Sequence, residues 1–397
     1  MSSIHATKLS ISAENYVKKG HPWVFSESII KLSDKAITGD LLIIFSQKNN
    51  KLIGIGLFDA DSPIRIKVIY HGAKSIKVND GFFKRKIEIA KEKRLSLLET
   101  KTNSYRLIFG ENDGFPSLIA DVYNKILVIK LYSGIWFPYL QGLVLSLKEI
   151  SNSETVVLRL SRSLQNSNSH TFKDGEVILG ELNNEIVEFV EHGINFSANV
   201  IKGHKTGYFL DHRENRRQVG LLSKNKSVLD VFSYAGGFSV HALANGATEV
   251  TSVDISERAL ETALQNGKLN QYSGEHEIIV GDAFEILNQL IAKGKTYDVV
   301  VIDPPSFAKR ESEINLAKKK YAQLAQLGEK LTSTNGILVL ASCSSRVTAD
   351  VFWEINDKTL KKSKRNHSVI QKTQHDIDHP VGFPEGAYLK CGYYRLD

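Results

Sequence analysis

The chain has 397 residues, of which 42% are hydrophobic and 24% charged, and its formal net charge is +7 at pH 7. This length predicts two or three domains, and two cysteines, Cys343 and Cys391, are too few for a disulfide scaffold or a cysteine-rich zinc site, so no metal is expected. No apolar run reaches membrane-spanning length and residues 1–20 lack the apolar core of a signal peptide, so we predict a cytoplasmic protein without a membrane partner.

Residues 1–72 are rich in short β-type runs, which predicts a small β-barrel domain. The clearest runs are Leu41–Phe45, Leu52–Phe58 and Ile64–Tyr70, separated by turn-forming residues. Two interpretations of its basic side chains stay open, RNA binding by shape and charge, or ordinary solvation. The basic residues in question are Lys18, Lys19, Arg65 and Lys67.

Residues 73–190 combine helical and strand patterns, which predicts a small central α+β domain. Gly81–Thr100 has helical periodicity and a basic face, for which we favour RNA contact over simple solvation. Strand-like runs within Tyr105–Tyr132 are followed by a helical stretch at Phe137–Ile150 and a strand at Val156–Leu160. Strand character then resumes at Ile186–Phe196.

The segment Lys202–Arg217 precedes the last predicted domain, which spans residues 191–397. It combines glycines, aromatic residues and both charges, more than a linker needs. A solvated helix would explain the end of this segment. Tyr208 close to Asp211 instead favours a lid that covers a bound cofactor. Both residues are therefore candidate cofactor contacts.

Ser227–Asp254 has the order strand, glycine-rich turn, helix, strand and acid. The strands are Val228–Phe232 and Glu249–Val253, the helix is Phe238–Asn245, and Asp254 ends the unit. This order is typical of the nucleotide-binding half of a doubly wound α/β sheet. The acid at the tip of the second strand is expected to accept hydrogen bonds from ribose hydroxyls.

The turn itself indicates which nucleotide binds. It reads Ser-Tyr-Ala-Gly-Gly-Phe, without the G-x-G-x-x-G spacing of dinucleotide folds, and no G-x-x-x-x-G-K-[ST] occurs. S-adenosylmethionine, which has a ribose and an adenine but no phosphate, fits what remains; the alternative is an α/β unit without a cofactor. The candidate contacts are Ser233, Tyr234, Gly236, Asp254 and Ile255.

Three later strand ends are predicted to meet the same crevice, because the carboxyl ends of parallel strands share one sheet edge. Asp282 and Ala283 follow the strand Glu277–Val280; Asp282 is expected to bind the adenine amino group or, alternatively, to cap a helix. Asp303 follows the buried strand Tyr297–Ile302, and its Pro-Pro continuation holds it rigidly. Cys343 follows the strand Gly336–Ala341.

Five motifs in order resemble one known family. They read FSYAGGFS, VDIS, DPPSFAK, SCSS and DHP…PEGAYLK. Over essentially the whole chain the sequence resembles the class I methyltransferases that make 5-methylcytidine in bacterial large-subunit (23S) ribosomal RNA, of the type with an N-terminal PUA domain (the RlmI type). The resemblance implies an α/β, Rossmann-like class I methyltransferase sheet, preceded by a PUA barrel and a small α+β domain. It leaves open whether the protein is a homodimer.

The resemblance also implies a mechanism. Cys343 would be the nucleophile that adds to cytosine C6, and Asp303 would lie near N3, where charge develops in the ring. Two alternatives remain open. One is an exocyclic-amine methyltransferase that uses Asp303-Pro304-Pro305-Ser306-Phe307 and needs no cysteine. The other is a non-catalytic RNA-binding homologue.

Overall fold

The computed structural model describes residues 3–363 and 365–397. These residues form two compact units. The first unit runs to Val190 and includes Ser197–Leu210 and Ile377–Gly386. The second consists of Glu191–Phe196, Asp211–Asp376 and Ala387–Asp397. Two segments that we predicted to lie in the last domain, 197–210 and 377–386, thus belong to the first unit.

The first unit begins with a six-stranded sheet of order β2-β6-β5-β4-β1-β3. Strands β1 and β4 pair in parallel, and the other neighbours are antiparallel. The elements are β1 (Ile4–Leu9), α1 (Ile11–Lys18), β2 (Trp23–Phe25), β3 (Ile29–Lys31), β4 (Leu41–Phe45), β5 (Leu52–Phe58) and β6 (Ile64–His71).

A five-stranded sheet of order β11-β10-β9-β8-β7 forms the rest of the first unit, with α2 and α4 packed together. Its elements are α2 (Asp80–Glu92), α3 (Leu95–Leu98), β7 (Ser104–Phe109), β8 (Leu118–Tyr123), β9 (Ile126–Leu131), α4 (Leu140–Ser151), β10 (Thr155–Leu160), α5 (Arg162–Gln165) and β11 (Glu176–Leu179).

One hydrophobic core joins these two sheets. Leu57 and Ile69 of the first sheet are buried in the same cluster as Phe83 of α2 and Trp136. Burial of such large apolar side chains is the main favourable term in folding. The predicted domain boundary at residue 72 lies between two sheets that share one core. The division of this unit into two domains therefore stays a prediction.

The basic helix α2 presents fewer cations to solvent than its sequence indicates. Arg94, just after it, is fully buried in a bidentate ion pair with Asp113, at 3.0 and 2.6 Å. Lys86 donates to the Ile69 carbonyl at 2.7 Å, and its burial lowers its pKa to about 8. These two side chains stabilise the unit, so RNA contact cannot be assigned to them.

The predicted strand Ile186–Phe196 is instead a hairpin. Its strands are β12 (Ile186–Glu191) and β13 (Ile194–Asn199). His192 and Gly193 form the turn, with φ of 50° and 81°. Positive φ at both central residues is typical of the tight turns that reverse a strand, and here it divides the predicted strand into two.

The second unit is built on a seven-stranded sheet of order β16-β15-β14-β17-β18-β20-β19. Strands β14 to β18 pair in parallel with one another, whereas β20 is antiparallel to both β18 and β19. The elements are α6 (Arg213–Leu222), β14 (Ser227–Val231), α7 (Gly237–Ala244), β15 (Glu249–Asp254), α8 (Glu257–Lys268), β16 (Glu275–Val280), α9 (Ala283–Ala292), β17 (Tyr297–Ile302), α10 (Ile314–Leu331), β18 (Thr332–Ser342), α11 (Ala349–Lys362), β19 (His367–Thr373) and β20 (Lys390–Leu396).

This strand order reverses direction at β14, which lies between β15 and β17. In open α/β sheets, ligands bind at such a switch point, outside the carboxyl ends of the strands. The predicted doubly wound α/β sheet is therefore confirmed. Its strands β14, β15 and β17 match the predicted ranges to within one residue.

Among the described residues, none of the helices combines the length and the apolar character that crossing a membrane requires.

Candidate active site

The turn after β14 has unusual backbone conformations. Phe232, Tyr234 and Gly236 all have positive φ, at 64°, 50° and 76°. Two of these three residues are not glycine, and such conformations cost free energy unless the surroundings enforce them. The Phe232 and Ser233 amides both donate to the Val253 carbonyl, at 2.8 and 3.1 Å. The neighbouring strand thus holds the turn in place.

Gly236 lies where a side chain cannot fit. A Cβ atom there would come within 2.6 Å of Ala263 Cβ, on α8. Gly236 also precedes the first residue of α7, so its backbone lies at a helix N-terminus. The glycine is therefore required for the close packing of this turn against α8.

Asp230 fixes helix α7 against the sheet. Its Oδ2 accepts hydrogen bonds from the Ser239 amide at 3.0 Å and from Ser239 Oγ at 2.6 Å. Burial raises the pKa of Asp230 to about 7, and the charges of Asp303 and Asp254 act in the same direction. The glycine turn is therefore held at both of its ends.

Asp254 ends β15 and organises the loops around it. Its Oδ2 accepts from the Tyr234 amide and its Oδ1 from the Ser256 amide, both at 2.9 Å. Each carboxylate oxygen has further lone pairs that can accept a ribose hydroxyl. Ile255, next in the chain, is 74% exposed, an apolar surface beside the acid on which a flat ring can pack.

Asp282 caps helix α9, which is the second of the two roles that the sequence predicts for it. Its Oδ1 accepts from the Phe284 and Glu285 amides, at 2.9 and 3.2 Å. Ala283, the first residue of α9, is buried. The Gly281 amide donates to the Asp254 carbonyl at 3.0 Å, which joins this loop to the tip of β15. Contact of Asp282 with adenine stays a prediction.

Asp303 follows β17 and lies beside a histidine. Its amide donates to the Val231 carbonyl at 3.3 Å, so it lies at the end of β14. His212 Nε2 is 3.3 Å from Asp303 Oδ1, an ion-pair distance without hydrogen-bond geometry. Burial alone would lower the pKa of His212, but the Asp303 side chain and the Asp211 charge together outweigh burial and raise that pKa. A protonated His212 would orient the Asp303 carboxylate.

Cys343 follows β18 and meets the loop that carries Asp303. Its Sγ lies 3.8 Å from the Pro304 carbonyl oxygen, and the residue is partly exposed. The neighbouring Ser342 Oγ donates to Tyr321 Oη of α10 at 2.9 Å. Cys391 differs, because it is fully buried in the core and burial raises the pKa of its thiol. Of the two thiols, Cys343 is therefore the one at the strand ends.

Tyr208 and Asp211 belong to different units. Tyr208 is buried in the first unit, where its amide donates to Tyr123 Oη at 3.2 Å. Asp211 is in the second unit, where its Oδ2 accepts from Tyr388 Oη at 2.8 Å. The predicted lid is thus divided between units, and its cofactor contacts stay predictions.

Comparison with known proteins decides the family. A family model described as S-adenosylmethionine-dependent methyltransferase matches residues 105–385, and a PUA-like domain model matches residues 8–70. The chain belongs to the S-adenosylmethionine-dependent methyltransferase family. The predicted class I methyltransferase fold, the PUA domain and S-adenosylmethionine as the cofactor are thereby confirmed.

Curated relatives match along nearly the full length. "Ribosomal RNA large subunit methyltransferase" of Deinococcus radiodurans is 38% identical, over 98% of this chain and 97% of its own. "Ribosomal RNA large subunit methyltransferase I" of Escherichia coli strain SMS-3-5 is 33% identical, over 96% of this chain and 97% of its own. The predicted resemblance to this methyltransferase family is confirmed.

Solved structures share the fold. A protein from Streptococcus mutans, described as a SAM-dependent methyltransferase, has a TM-score of 0.82 at 22% identity, with 98% of this chain and 99% of that chain covered. A second structure, described as a methyltransferase complexed with SAH, has the same TM-score and identity and covers 99% and 100%. At this identity the likeness shows the fold alone.

The described residues fit S-adenosylmethionine. Asp254 offers an acid at the tip of β15, next to the glycine turn that packs closely on α8 through Gly236. The exposed Ile255 adds an apolar surface next to that acid. The arrangement suits a ribose and an adenine that carry no phosphate.

Two functional candidates were not found from the sequence. His212 and Lys390 lie within the motifs HKTGYFLDHR and PEGAYLK, but nothing in their local sequence indicates their partners. The groups that they approach, Asp303 and the Ser344 carbonyl next to Cys343, follow strands distant in the chain.

Replacement of Asp254 by alanine should weaken S-adenosylmethionine binding by about 1–3 kcal/mol, the scale of losing charge-assisted hydrogen bonds. Titration calorimetry measures this change. Glu249→Ala, at the opposite end of β15, is the matched control and should leave the affinity unchanged. Equal affinities for Asp254→Ala and the wild type would contradict the assigned ribose site.

Proposed function

We propose that this protein methylates C5 of a cytosine in large-subunit ribosomal RNA, through a covalent bond between Cys343 and C6. The observation that carries the proposal is the position of the thiol. Cys343 Sγ lies 3.8 Å from the Pro304 carbonyl oxygen, beside Asp303 at the edge of the sheet. An amine methyltransferase that uses the same Asp-Pro-Pro loop needs no thiol there.

The chemistry explains why a thiol is needed. Cytosine C5 is a weak nucleophile toward a sulfonium methyl group, which S-adenosylmethionine supplies when bound. A thiolate that adds to C6 breaks the conjugation of the ring and makes C5 enamine-like. Asp303, held by Val231 and His212, would pass a proton from His212 to N3, where negative charge develops. C5 then takes the methyl group as its bond to sulfur breaks, which leaves S-adenosylhomocysteine. A base removes the C5 proton, the electron pair expels the Cys343 thiolate from C6, and the ring is restored.

The target base has to leave its stack to reach this edge of the sheet. Enzymes that act on a nucleobase accept single-stranded substrate or flip the base into the pocket. The names of the curated relatives support large-subunit ribosomal RNA as the substrate class. The PUA-like domain supports an RNA partner in the same way.

The identity of the methylated nucleoside tests this proposal. Ribosomal RNA that lacks the modification is incubated with the enzyme and labelled S-adenosylmethionine, then digested to nucleosides and analysed by mass spectrometry. We expect the label in 5-methylcytidine. Label in N4-methylcytidine or N6-methyladenosine would instead support the amine methyltransferase, and no label with folded, cofactor-binding protein would support a non-catalytic homologue.

We propose that RNA contacts the first sheet region at Lys18 and Lys19 and not at Lys67. Lys67 is buried against Asp59, with Nζ 2.5 Å from Oδ2, so it cannot meet a phosphate. Lys18 and Lys19, at the end of α1, are exposed. Lys18 is paired with Glu14 of its own helix at 3.1 Å, a contact that an RNA phosphate can replace.

Reversal of charge at Lys18 and Lys19 should weaken RNA binding and flatten its dependence on salt. Each lost phosphate contact should lower the slope of log affinity against log salt by about 0.7–0.9. Filter binding at several salt concentrations gives both quantities. Lys330→Glu in helix α10 is the control, and an unchanged slope in the Lys18→Glu, Lys19→Glu protein would exclude this surface.

A further inference from the structure

Lys390 is a buried cation beside the candidate nucleophile. It begins strand β20, pairs in register with Ser342 of β18, and is 1% exposed. Its Nζ donates to the Ser344 carbonyl, and to the Tyr388 carbonyl at 3.0 Å. Both acceptors are neutral, so neither compensates the charge of an ammonium group.

The residue that can compensate this charge is Cys343. Lys390 Nζ contacts the carbonyl of Ser344, the residue next to Cys343, so the thiol lies close to this cation. Burial lowers the pKa of Lys390 to about 8, and an ionised Cys343 acts in the opposite direction. Lys390 is therefore mostly protonated at pH 7. A buried charge without a partner is costly, which favours the ionised form of its neighbour.

Three other titratable groups described at these strand ends add no net positive charge. Tyr321 of α10 is neutral at pH 7, because burial raises its pKa to about 12 and the charges of Cys343 and Asp303 act in the same direction. Asp303, after β17, is an acid and would oppose a thiolate, and His212 is paired with that acid. Lys390, from β20, is the group that opposes Asp303.

We propose that Lys390 is a positioning residue, the counterion that holds Cys343 as a thiolate. Ionisation breaks the bond between sulfur and hydrogen; the proton leaves to solvent, the electron pair stays on Sγ, and Lys390 keeps its own proton. The thiolate is the nucleophilic form of cysteine. Its use against cytosine rests on the proposed function, but the ionisation itself can be measured without RNA.

The rate of alkylation of Cys343 by iodoacetamide, followed against pH by peptide mass spectrometry, measures this ionisation. In the wild type the midpoint should lie below the value of about 8.5 for an ordinary thiol. In Lys390→Met the midpoint should rise by about one pH unit or more, so that alkylation at pH 7 slows about tenfold. Lys390→Arg keeps the cation and should keep the low midpoint.

Lys372→Met, on the neighbouring strand β19, is the matched control and should leave the midpoint unchanged. Alkylation of the buried Cys391 would show that a variant has unfolded. If Lys390→Met unfolds, the midpoints of the wild type and Lys390→Arg test the inference. A wild-type midpoint at or above about 8.5, or an unchanged midpoint in folded Lys390→Met, would overturn the inference. If the midpoints behave as expected but no 5-methylcytidine forms, the proposed function fails and the ion pair stands.

Discussion

Replacement of Cys343 by alanine should abolish methyl transfer, with a loss in turnover on the order of 10⁴-fold or more, as when a covalent nucleophile is removed. S-adenosylmethionine affinity should stay within about 0.5 kcal/mol, because Asp254 and Gly236 lie at other strand ends and are unchanged. Methyl transfer to ribosomal RNA and titration calorimetry measure the two quantities.

Cys391→Ala is the matched control. Cys391 is buried in a core with Tyr393 and Val339, so its removal costs packing and leaves the strand ends intact. We expect lower stability and nearly full turnover per folded molecule. Full activity in Cys343→Ala would contradict the covalent mechanism and favour the amine methyltransferase.

Replacement of Glu191 by alanine should destabilise the second unit by about 3–5 kcal/mol, the scale of breaking a buried ion pair. Glu191 is fully buried and accepts two hydrogen bonds from Arg216, at 2.7 and 2.6 Å. His241 Nε2 lies 2.9 Å from the same carboxylate. The substitution leaves the Arg216 charge buried and uncompensated. Chemical denaturation, monitored by fluorescence, measures the change.

Two variants test whether loss of the Glu191–Arg216 pair causes the lower stability of Glu191→Ala. Glu354→Ala removes an exposed pair with Lys358 and should leave the denaturation midpoint nearly unchanged. Glu191→Leu combined with Arg216→Met removes both charges, and should recover much of the stability that Glu191→Ala loses. Equal stability of Glu191→Ala and the wild type would contradict the role assigned to the pair.

The Glu191–Arg216 pair makes the stability of the folded protein depend on pH. Burial alone would raise the pKa of Glu191, but the charges of Arg216 and His241 and their hydrogen bonds together lower it well below its ordinary value. A carboxyl group with a lowered pKa stabilises the folded state above its unfolded pKa, about 4.3. That stability is lost as the pH falls through the folded pKa. The difference between wild type and Glu191→Ala should therefore shrink in acid.

The sequence predicts the part of the fold that local patterns encode. Apolar runs bounded by turns locate β14, β15 and β17, and the strand order then places Asp254 and Asp303 at one edge. The hairpin at His192 was missed because a single histidine-glycine pair interrupts a continuous strand pattern. The antiparallel strand β20 was missed as well, so the sequence did not predict that Lys390 pairs with Ser342 and reaches the Ser344 carbonyl. That contact depends on pairing between strands that local periodicity does not report.

A covalent trap tests the central claim most directly. In RNA that carries 5-fluorocytidine at the target position, the C5 proton is absent, so the bond between Cys343 and C6 cannot be released by elimination. The wild type with S-adenosylmethionine should form a stable protein–RNA adduct, which peptide mass spectrometry should locate on Cys343, and Cys343→Ala should form none. Methylation of normal RNA without any adduct on the fluorinated RNA, or an adduct that persists in Cys343→Ala, would contradict the account.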